Sequence, residues 1–287
     1  MKLPAFDYAC PTTVAEAVAL LGSHDEAKAL AGGQSLVPMM AFRIASPSLL
    51  VDLRKLSDLR QIAIDAGGVR LGAMVRWRDI EDESRLEVAH PLLRAAVSHV
   101  AHYQIRNRGT VGGSVAHADP AAEMPGIAVT CEAEIAVTGM AGPRVIRADD
   151  FFIAPLITAL TADEIITEIR LPPWPAQRRW GFREFSRRRG DFAMAAAAVF
   201  FDVDDGKACN AHIAAIGIGD RPIRLGEAEA EVNGRVVDAA VSARAGRAAS
   251  ASVNPHSDIH ASGAYRKSLI GTMVERALHS AAGAKPA

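Results

Sequence analysis

The sequence predicts an α+β protein divided into two or three subdomains. Three observations predict it. The chain has 287 residues, more than a single hydrophobic core comfortably serves. Stretches of helical periodicity alternate with short strand pairs that turn on glycine. Past the Pro172–Pro175 segment, PPWP, the character of the sequence changes, which makes that segment the best candidate for a domain boundary.

Each element can be justified in order. Phe6–Pro11 is an extended lead-in. Thr13 and Glu16 form a capping box. Val14, Ala17, Val18 and Leu21 follow at helical spacing, and Gly22 is expected to close that helix. Lys28–Ala31 is a short strand running into Gly32-Gly33-Gln34-Ser35. Leu36–Phe42 reads as a helix capped by Ser35, with Pro38 tolerated in its first turn. Leu49–Leu53 is a strand, and Gln61–Ile64 pairs with Val69–Ala73 in a hairpin turning at Gly67-Gly68. Trp77–Glu81 and Pro91–Val100 are expected helices, the second with Leu92, Leu93, Ala96, Val97 and Val100 on one face. Ala121–Val129 is a helix, Ala133–Thr138 and Arg144–Arg147 a hairpin, and Glu164–Leu171 a strand. Beyond PPWP, Phe192–Val203 and Ala211–Ile218 read as strands joined at Asp204-Asp205-Gly206. The run Ala195–Ala198 inside the first is ambiguous between strand and helix, and is assigned to strand. Leu225–Val232, Asp238–Ala248 and Tyr265–Leu278 are helices, and Ala281–Ala287 is expected to fray.

Composition excludes several classes of function. Net charge is −1, which gives no electrostatic case for nucleic acid or an anionic membrane. No apolar run approaches the roughly 18 residues that span a bilayer, and MKLPAFDYACPTT has no apolar core of a secretory signal. A cytoplasmic location is the expectation. Cys10, Cys131 and Cys209 are far apart, whereas an iron–sulfur cluster takes about four thiolates and structural zinc a similarly clustered set. The nine histidines are scattered; His99 with His102, or His256 with His260, could share a helix face, but helix surface is the plainer reading. Redox work by this chain therefore requires an organic cofactor.

Two glycine-hinged stretches offer the means to hold one. Leu30–Pro38 reads LAGGQSLVP, and Thr110–Ser114, TVGGS, lies within a longer motif. Each puts hydroxyls beside paired glycines, which let backbone approach a diphosphate without a Cβ. Neither matches GxGxxG or GxxxxGK[ST], so neither is a Rossmann or P-loop fingerprint. Gly217-Ile218-Gly219 lacks the third glycine and reads as a strand end and turn.

AGGQSLVP at 31–38, QIRNRGTVGGSVAHADPAAEMP at 104–125 and RRRGDFAMAAAA at 187–198 resemble the FAD-binding medium subunit of the molybdenum hydroxylases, the xanthine dehydrogenase and aerobic carbon monoxide dehydrogenase family. The resemblance extends over essentially the whole chain. It implies a two-part FAD-binding region of the vanillyl-alcohol-oxidase (PCMH) type, residues 1–55 and 56–173, then a smaller C-terminal α/β domain of the carbon monoxide dehydrogenase flavoprotein type, residues 174–287. It also implies roles. Leu30, Ala31, Gly32, Gly33, Gln34, Ser35 and Leu36 wrap the diphosphate and ribityl chain. Thr110, Val111, Gly112, Gly113 and Ser114 hold the diphosphate from the other side. Glu123 accepts hydrogen bonds from the adenosine ribose, with Asp119 close by. Ile166 lies near the cofactor. Arg183 stands where the family often has Lys near the flavin ring, keeping the charge but not the geometry. Phe192 stands where related chains put Tyr or another bulky residue against the isoalloxazine.

Plainer readings stand beside these. Ile166 and Phe192 also suit a core, and Glu123 also suits the first turn of a helix. Arg183 sits in a basic run with Arg178, Arg179 and Arg187–Arg189, either a solvated face or a dock for an acidic partner. His117 beside Asp119 has no nucleophile or metal constellation to serve.

The implied function is electron transfer without a catalytic acid, base or metal in this chain. Electrons come from a small subunit with two 2Fe–2S clusters, which receives them from a large molybdenum–pterin subunit, and FAD passes them to an external acceptor. The implied assembly is a dimer of heterotrimers. Two other readings are a self-contained flavin oxidoreductase of the same fold and a flavin-free scaffold.

Overall fold

Thr13 starts the first helix as its side chain dictates. Its hydroxyl accepts from the Glu16 N–H at 3.2 Å, and the Glu16 carboxylate accepts from the Thr13 N–H at 3.2 Å. The computed structural model describes residues 2–283. In chain order the first elements are β1 (Asp7–Ala9), α1 (Val14–Ser23), β2 (Lys28–Leu30), α2 (Leu36–Ala41) and β3 (Leu49–Asp52). The three strands form a parallel sheet in the order β1-β3-β2, against which α1 buries Ala17, Val18 and Leu21. Gly22 does not close α1. It is the second-last residue of the helix, which runs to Ser23 with His24 as its C-cap.

Two 3-10 turns, Leu53–Lys55 and Ser57–Arg60, lead to the second sheet. There follow β4 (Ile62–Asp65), β5 (Gly68–Gly72), α3 (Trp77–Asp82), α4 (Leu86–Ala89), α5 (Pro91–Val97), α6 (Tyr103–Arg106), α7 (Val111–His117), α8 (Glu123–Thr130), β6 (Glu134–Gly139), β7 (Gly142–Arg147) and α9 (Ala148–Phe151). A small pair, β8 (Phe152–Ala154) and β9 (Ile157–Thr158), precedes β10 (Ile165–Leu171). The antiparallel order is β4-β5-β10-β6-β7. Strand β10 returns from far along the chain to the centre, between two hairpins each readable from glycine turns.

The third sheet is β11 (Arg179–Phe185), β12 (Ala195–Asp204), β13 (Lys207–Ile216) and β14 (Ile223–Arg224), antiparallel and in that order. Helices α10 (Gly226–Val232), α11 (Ala239–Ser252) and α12 (Gly263–Gly283) cover one face. The alanine run is strand because β12 is buried on both faces. Ala195, Ala197, Val199 and Phe201 meet the helices, while Ala196, Ala198 and Phe200 meet the core shared with α8 and the five-stranded sheet. Small side chains let the layers close: a Cβ on Gly181 of β11 would overlap the Ala277 carbonyl of α12.

Strand β11 was hidden in the basic run, whose strand pattern its arginines disguise. It is an edge strand, and edge strands tolerate charge. The expected fraying at 281–287 is partly overturned, since Ala281–Gly283 belong to α12 and Ala281 is buried; residues 284–287 lie outside the described residues. The helix expected to reach Val100 stops at Val97, so His99 and His102 fall in the turn before α6. His256 and His260 lie outside helices, and no metal-binding group of His, Cys, Asp and Glu occurs among the described residues.

One cluster ties the PPWP linker to the third sheet. The Arg178 guanidinium carbon lies 4.2 Å from the Phe200 ring centre and 5.1 Å from that of Trp174. Its Nε and Nη2 donate to Asp202 at 2.8 and 3.0 Å. Removing it with Arg178→Met should cost about 2 kcal/mol, read as a lower urea midpoint with the flavin content unchanged.

Candidate functional site

A cleft of about 760 Å³ opens between the three-stranded sheet, α7, the β8–β9 hairpin and the loop between β11 and β12. Its size suits a large organic ligand. The first glycine stretch forms one wall. Strand β2 ends at Leu30 and the chain turns at once, with Gly33 at φ +71°, a left-handed conformation that favours glycine. Gln34 pins the turn by donating from Nε2 to the Gly32 carbonyl at 3.0 Å. The backbone N–H groups of Gly32, Gly33, Gln34 and Ser35 have no acceptor among the described residues. Ser35 sits at the N-cap of α2 but its hydroxyl caps nothing, so it too stays free.

The second glycine stretch differs from its expected form. Gly112 and Gly113 are not in a loop; they make the first turn of α7, with Thr110 as N-cap. Its N–H groups are used internally. Val111 donates to Val75 at 2.9 Å, Gly112 to Ala73 at 2.9 Å, Gly113 to the Thr110 hydroxyl at 3.2 Å and Ser114 to the Thr110 carbonyl at 3.0 Å. The cause is a helix that starts flush against the β5–α3 connection, where a Cβ on Gly112 would lie 2.5 Å from the Ala73 Cβ. What this wall offers a ligand is hydroxyls: Thr110 and Ser114 donate to no acceptor among the described residues.

The two stretches touch. A Cβ on Gly32 would overlap the Arg108 carbonyl, and one on Gly113 would lie 3.6 Å from the Ala31 Cβ. Glycine brings the two backbones together, a reason for the residue that no turn requirement supplies.

Of the other expected site residues, Asp119, Glu123, Ile166 and Phe192 also line the cleft, as do Ala31 and Leu36. Asp119 accepts the Ala121 N–H at 2.8 Å in the turn between α7 and α8. Glu123 opens α8 and is buried. Burial pushes its carboxyl up to about 7, with the Asp119 charge adding to the rise. Ile166 is 4% exposed and belongs to the core as well as the wall, whereas Phe192 is 71% exposed and is not core. Three residues are not brought to the cleft. Leu30 ends β2, Val111 is fully buried as the first residue of α7, and Arg183 faces solvent with Nη1 donating to the Phe182 carbonyl at 2.8 Å. Strand alternation explains Arg183: Phe182 takes the inward position beside it.

Sequence reasoning missed the hairpin residues Leu156–Thr158, the residues Val100, Ala101 and Ile105, Trp77 and the Gly190–Asp191 bend, all of which line the cleft. The run Phe151-Phe152-Ile153 before Pro155 was the available signal for the hairpin.

Residues 4–174 match the FAD binding domain in molybdopterin dehydrogenase, and residues 180–281 match the CO dehydrogenase flavoprotein C-terminal domain. The chain is 38% identical to the nicotine 6-hydroxylase medium subunit of Paenarthrobacter nicotinovorans, covering 97% of this chain and 98% of that one. It belongs to the FAD-binding medium subunits of the molybdenum hydroxylases. The fold of this medium subunit superposes on carbon monoxide dehydrogenase from Hydrogenophaga pseudoflava with a TM-score of 0.95 at 36% identity, covering 98% of both chains. Against quinoline 2-oxidoreductase from Pseudomonas putida 86 the TM-score is 0.93 at 38% identity, again covering 98% of both.

FAD is accordingly the cofactor of this oxidoreductase subunit, and the residues present fit it. Four unpaired N–H groups and three unspent hydroxyls in one cleft are the donor set a diphosphate needs. No helix among the described residues is long and apolar enough to cross a membrane.

Proposed function

We propose that this medium subunit seats the FAD diphosphate between Gly32–Ser35 and the hydroxyls of Thr110 and Ser114. Bound FAD supplies reversible two-electron chemistry; the chain's part is to bind, orient and shield. Glu123 receives the adenosine ribose hydroxyls. Phe192 and Ile166 bound the end nearest the isoalloxazine. Arg183 acts only at long range, since its side chain turns outward. The observation that carries this reading is that the unpaired N–H groups of Gly32–Ser35 and the hydroxyls of Thr110 and Ser114 belong to residues lining one cleft.

Electrons enter from a small subunit with two 2Fe–2S clusters, fed by a large molybdenum–pterin subunit, and leave to an external acceptor. The assembly is a dimer of heterotrimers in the cytoplasm. Residues 1–55 and 56–173 form the two halves of the flavin region, and 174–287 the C-terminal domain. Similar chains come from enzymes named for nicotine, carbon monoxide and quinoline, which supports placing substrate choice outside this chain.

Purification of the native chain under mild conditions tests the proposal. It should emerge yellow, with two partner chains, molybdenum and iron. A chain that oxidises a small substrate alone would favour a self-contained flavin oxidoreductase. A chain that stays colourless after reconstitution with FAD would overturn the proposal outright.

A further inference from the structure

Strands β12 and β13 stop pairing at Ala196 and Ile216. Just beyond that point, a single guanidinium takes up the carbonyls of Met194 and Gly217. Arg266 of α12 is 8% exposed, and its Nη1 donates to the Met194 carbonyl at 2.7 Å and to the Gly217 carbonyl at 2.8 Å. Its Nη2 donates to the Asp258 carboxylate at 2.7 Å, which supplies the counter-charge a buried guanidinium requires. Only a planar fork reaches three acceptors in this way; a lysine ammonium is a single point.

Both carbonyls belong to segments that reach the flavin cleft. Met194 ends the loop between β11 and β12, which brings Gly190, Asp191 and Phe192 to the cleft. The same loop is tied near its other end, where Arg187 Nη2 donates to the His260 carbonyl at 2.9 Å. His260 and Asp258 share one turn, since the Asp258 carboxylate accepts the N–H groups of His260 and Ala261 at 2.8 and 2.9 Å. Loop and turn are thus joined twice, through Arg187 and through Arg266. Between those ties Phe192 is 71% exposed, so its own burial does not fix it.

Gly217 leads to another part of the wall. Its N–H donates to the Pro120 carbonyl at 2.9 Å. Pro120 lies in the turn between Asp119 and Glu123, both of which line the cleft. Gly217 has φ +74°, and a Cβ on it would lie 2.6 Å from the Ala193 carbonyl, so the two cleft segments and the strand end meet where no side chain fits.

We infer that Arg266 is a positioning residue for the flavin cleft. From the last helix it fixes the loop that bears Phe192 and, through Gly217, the turn that bears Asp119 and Glu123. Walls already in place spare the ligand the cost of ordering them. Loss of Arg266 therefore weakens flavin binding without removing a contact. The role rests on the proposed placement of the cofactor against Phe192 and Glu123.

The test compares Arg266→Met with Val274→Ala in the flavin-free full-length chain. Val274 is fully buried on the same helix, and truncating it leaves a cavity in the helix–sheet core without touching the Arg266 bonds. Both variants should melt lower than wild type. Fluorescence titration should give a Kd for FAD about tenfold weaker for Arg266→Met and within about twofold of wild type for Val274→Ala. Trypsin reads the loop directly, because Arg187, Arg188 and Arg189 are its cleavage sites. At the same interval below each Tm, cleavage there should run several-fold faster in Arg266→Met than in Val274→Ala. Cleavage no faster, or a Kd no weaker, than in Val274→Ala overturns the inference.

Asp258→Asn decides the matter if Arg266→Met does not fold. Asp258 is half-exposed, and the variant keeps the guanidinium while removing its counter-charge. Kd and cleavage rate should each rise about twofold to threefold; both unchanged overturns the inference. Phe192→Ala separates this role from the reading beneath it. If it binds FAD as tightly as wild type, the cofactor does not rest on Phe192 and that contact fails, while the trypsin profile of Arg266→Met still decides whether Arg266 holds the loop.

Discussion

Gly113→Asp should leave the chain folded and strip it of flavin. Gly113 lines the cleft in the first turn of α7, and a Cβ there would stand 2.8 Å from the Thr110 hydroxyl. That crowding disturbs one cap bond and costs about 1 kcal/mol. The carboxylate does far more to a diphosphate. Like charges about 4 Å apart at a protein surface repel by roughly 4 kcal/mol, which weakens binding by about 10²–10³-fold. Gly113→Ala carries the crowding without the charge and should keep most of the affinity. Fluorescence titration with FAD, together with a thermal melt of the flavin-free chain, reads both terms. A Gly113→Asp protein that purifies yellow with ordinary affinity would move the diphosphate away from α7.

Gly32→Val should do the reverse and damage the fold before the chemistry. Its Cβ position is occupied by the Arg108 carbonyl, a backbone atom that cannot rotate aside. The two walls must separate, and overpacking of this kind costs about 3 kcal/mol. The Tm of the flavin-free chain should fall by roughly 6–12 °C, and flavin binding should fall with it because the N–H row no longer faces the hydroxyls. Gly33→Ala makes a useful contrast. Its Cβ would meet side chains of Val37 and Leu30 at 3.3 and 3.4 Å, so its cost comes mainly from the left-handed backbone, about 1–2 kcal/mol. If Gly32→Val melted no lower than Gly33→Ala, the contact between the walls would not be what requires Gly32.

What was legible in the sequence was what neighbours in the chain decide. The Thr13 capping box, the Gly67-Gly68 hairpin and the apolar face of the last helix are local bargains between adjacent residues, and each formed where expected. The glycine stretches were legible as motifs, and the resemblance they carried named the family and the cofactor. Local signals also misled where tertiary contact won. Gly22 has the look of a helix stop, yet α1 runs one residue past it to Ser23. The basic run concealed β11 because Arg179, Arg183 and Glu184 interrupt its apolar residues, and an edge strand tolerates such charge.

By itself the chain order determined most of the helices and strands outside β11 and α7, and which short motifs carry the resemblance to the family. Only the tertiary structure decided that the two glycine stretches touch, that the second spends its N–H groups on α7 and keeps its hydroxyls for the cleft, and that Arg183 turns away. The reason is physical. Hydrogen-bond donors are shared out among all acceptors within about 3 Å, and a carboxyl takes its charge from everything packed around it, so both depend on residues that are distant in sequence.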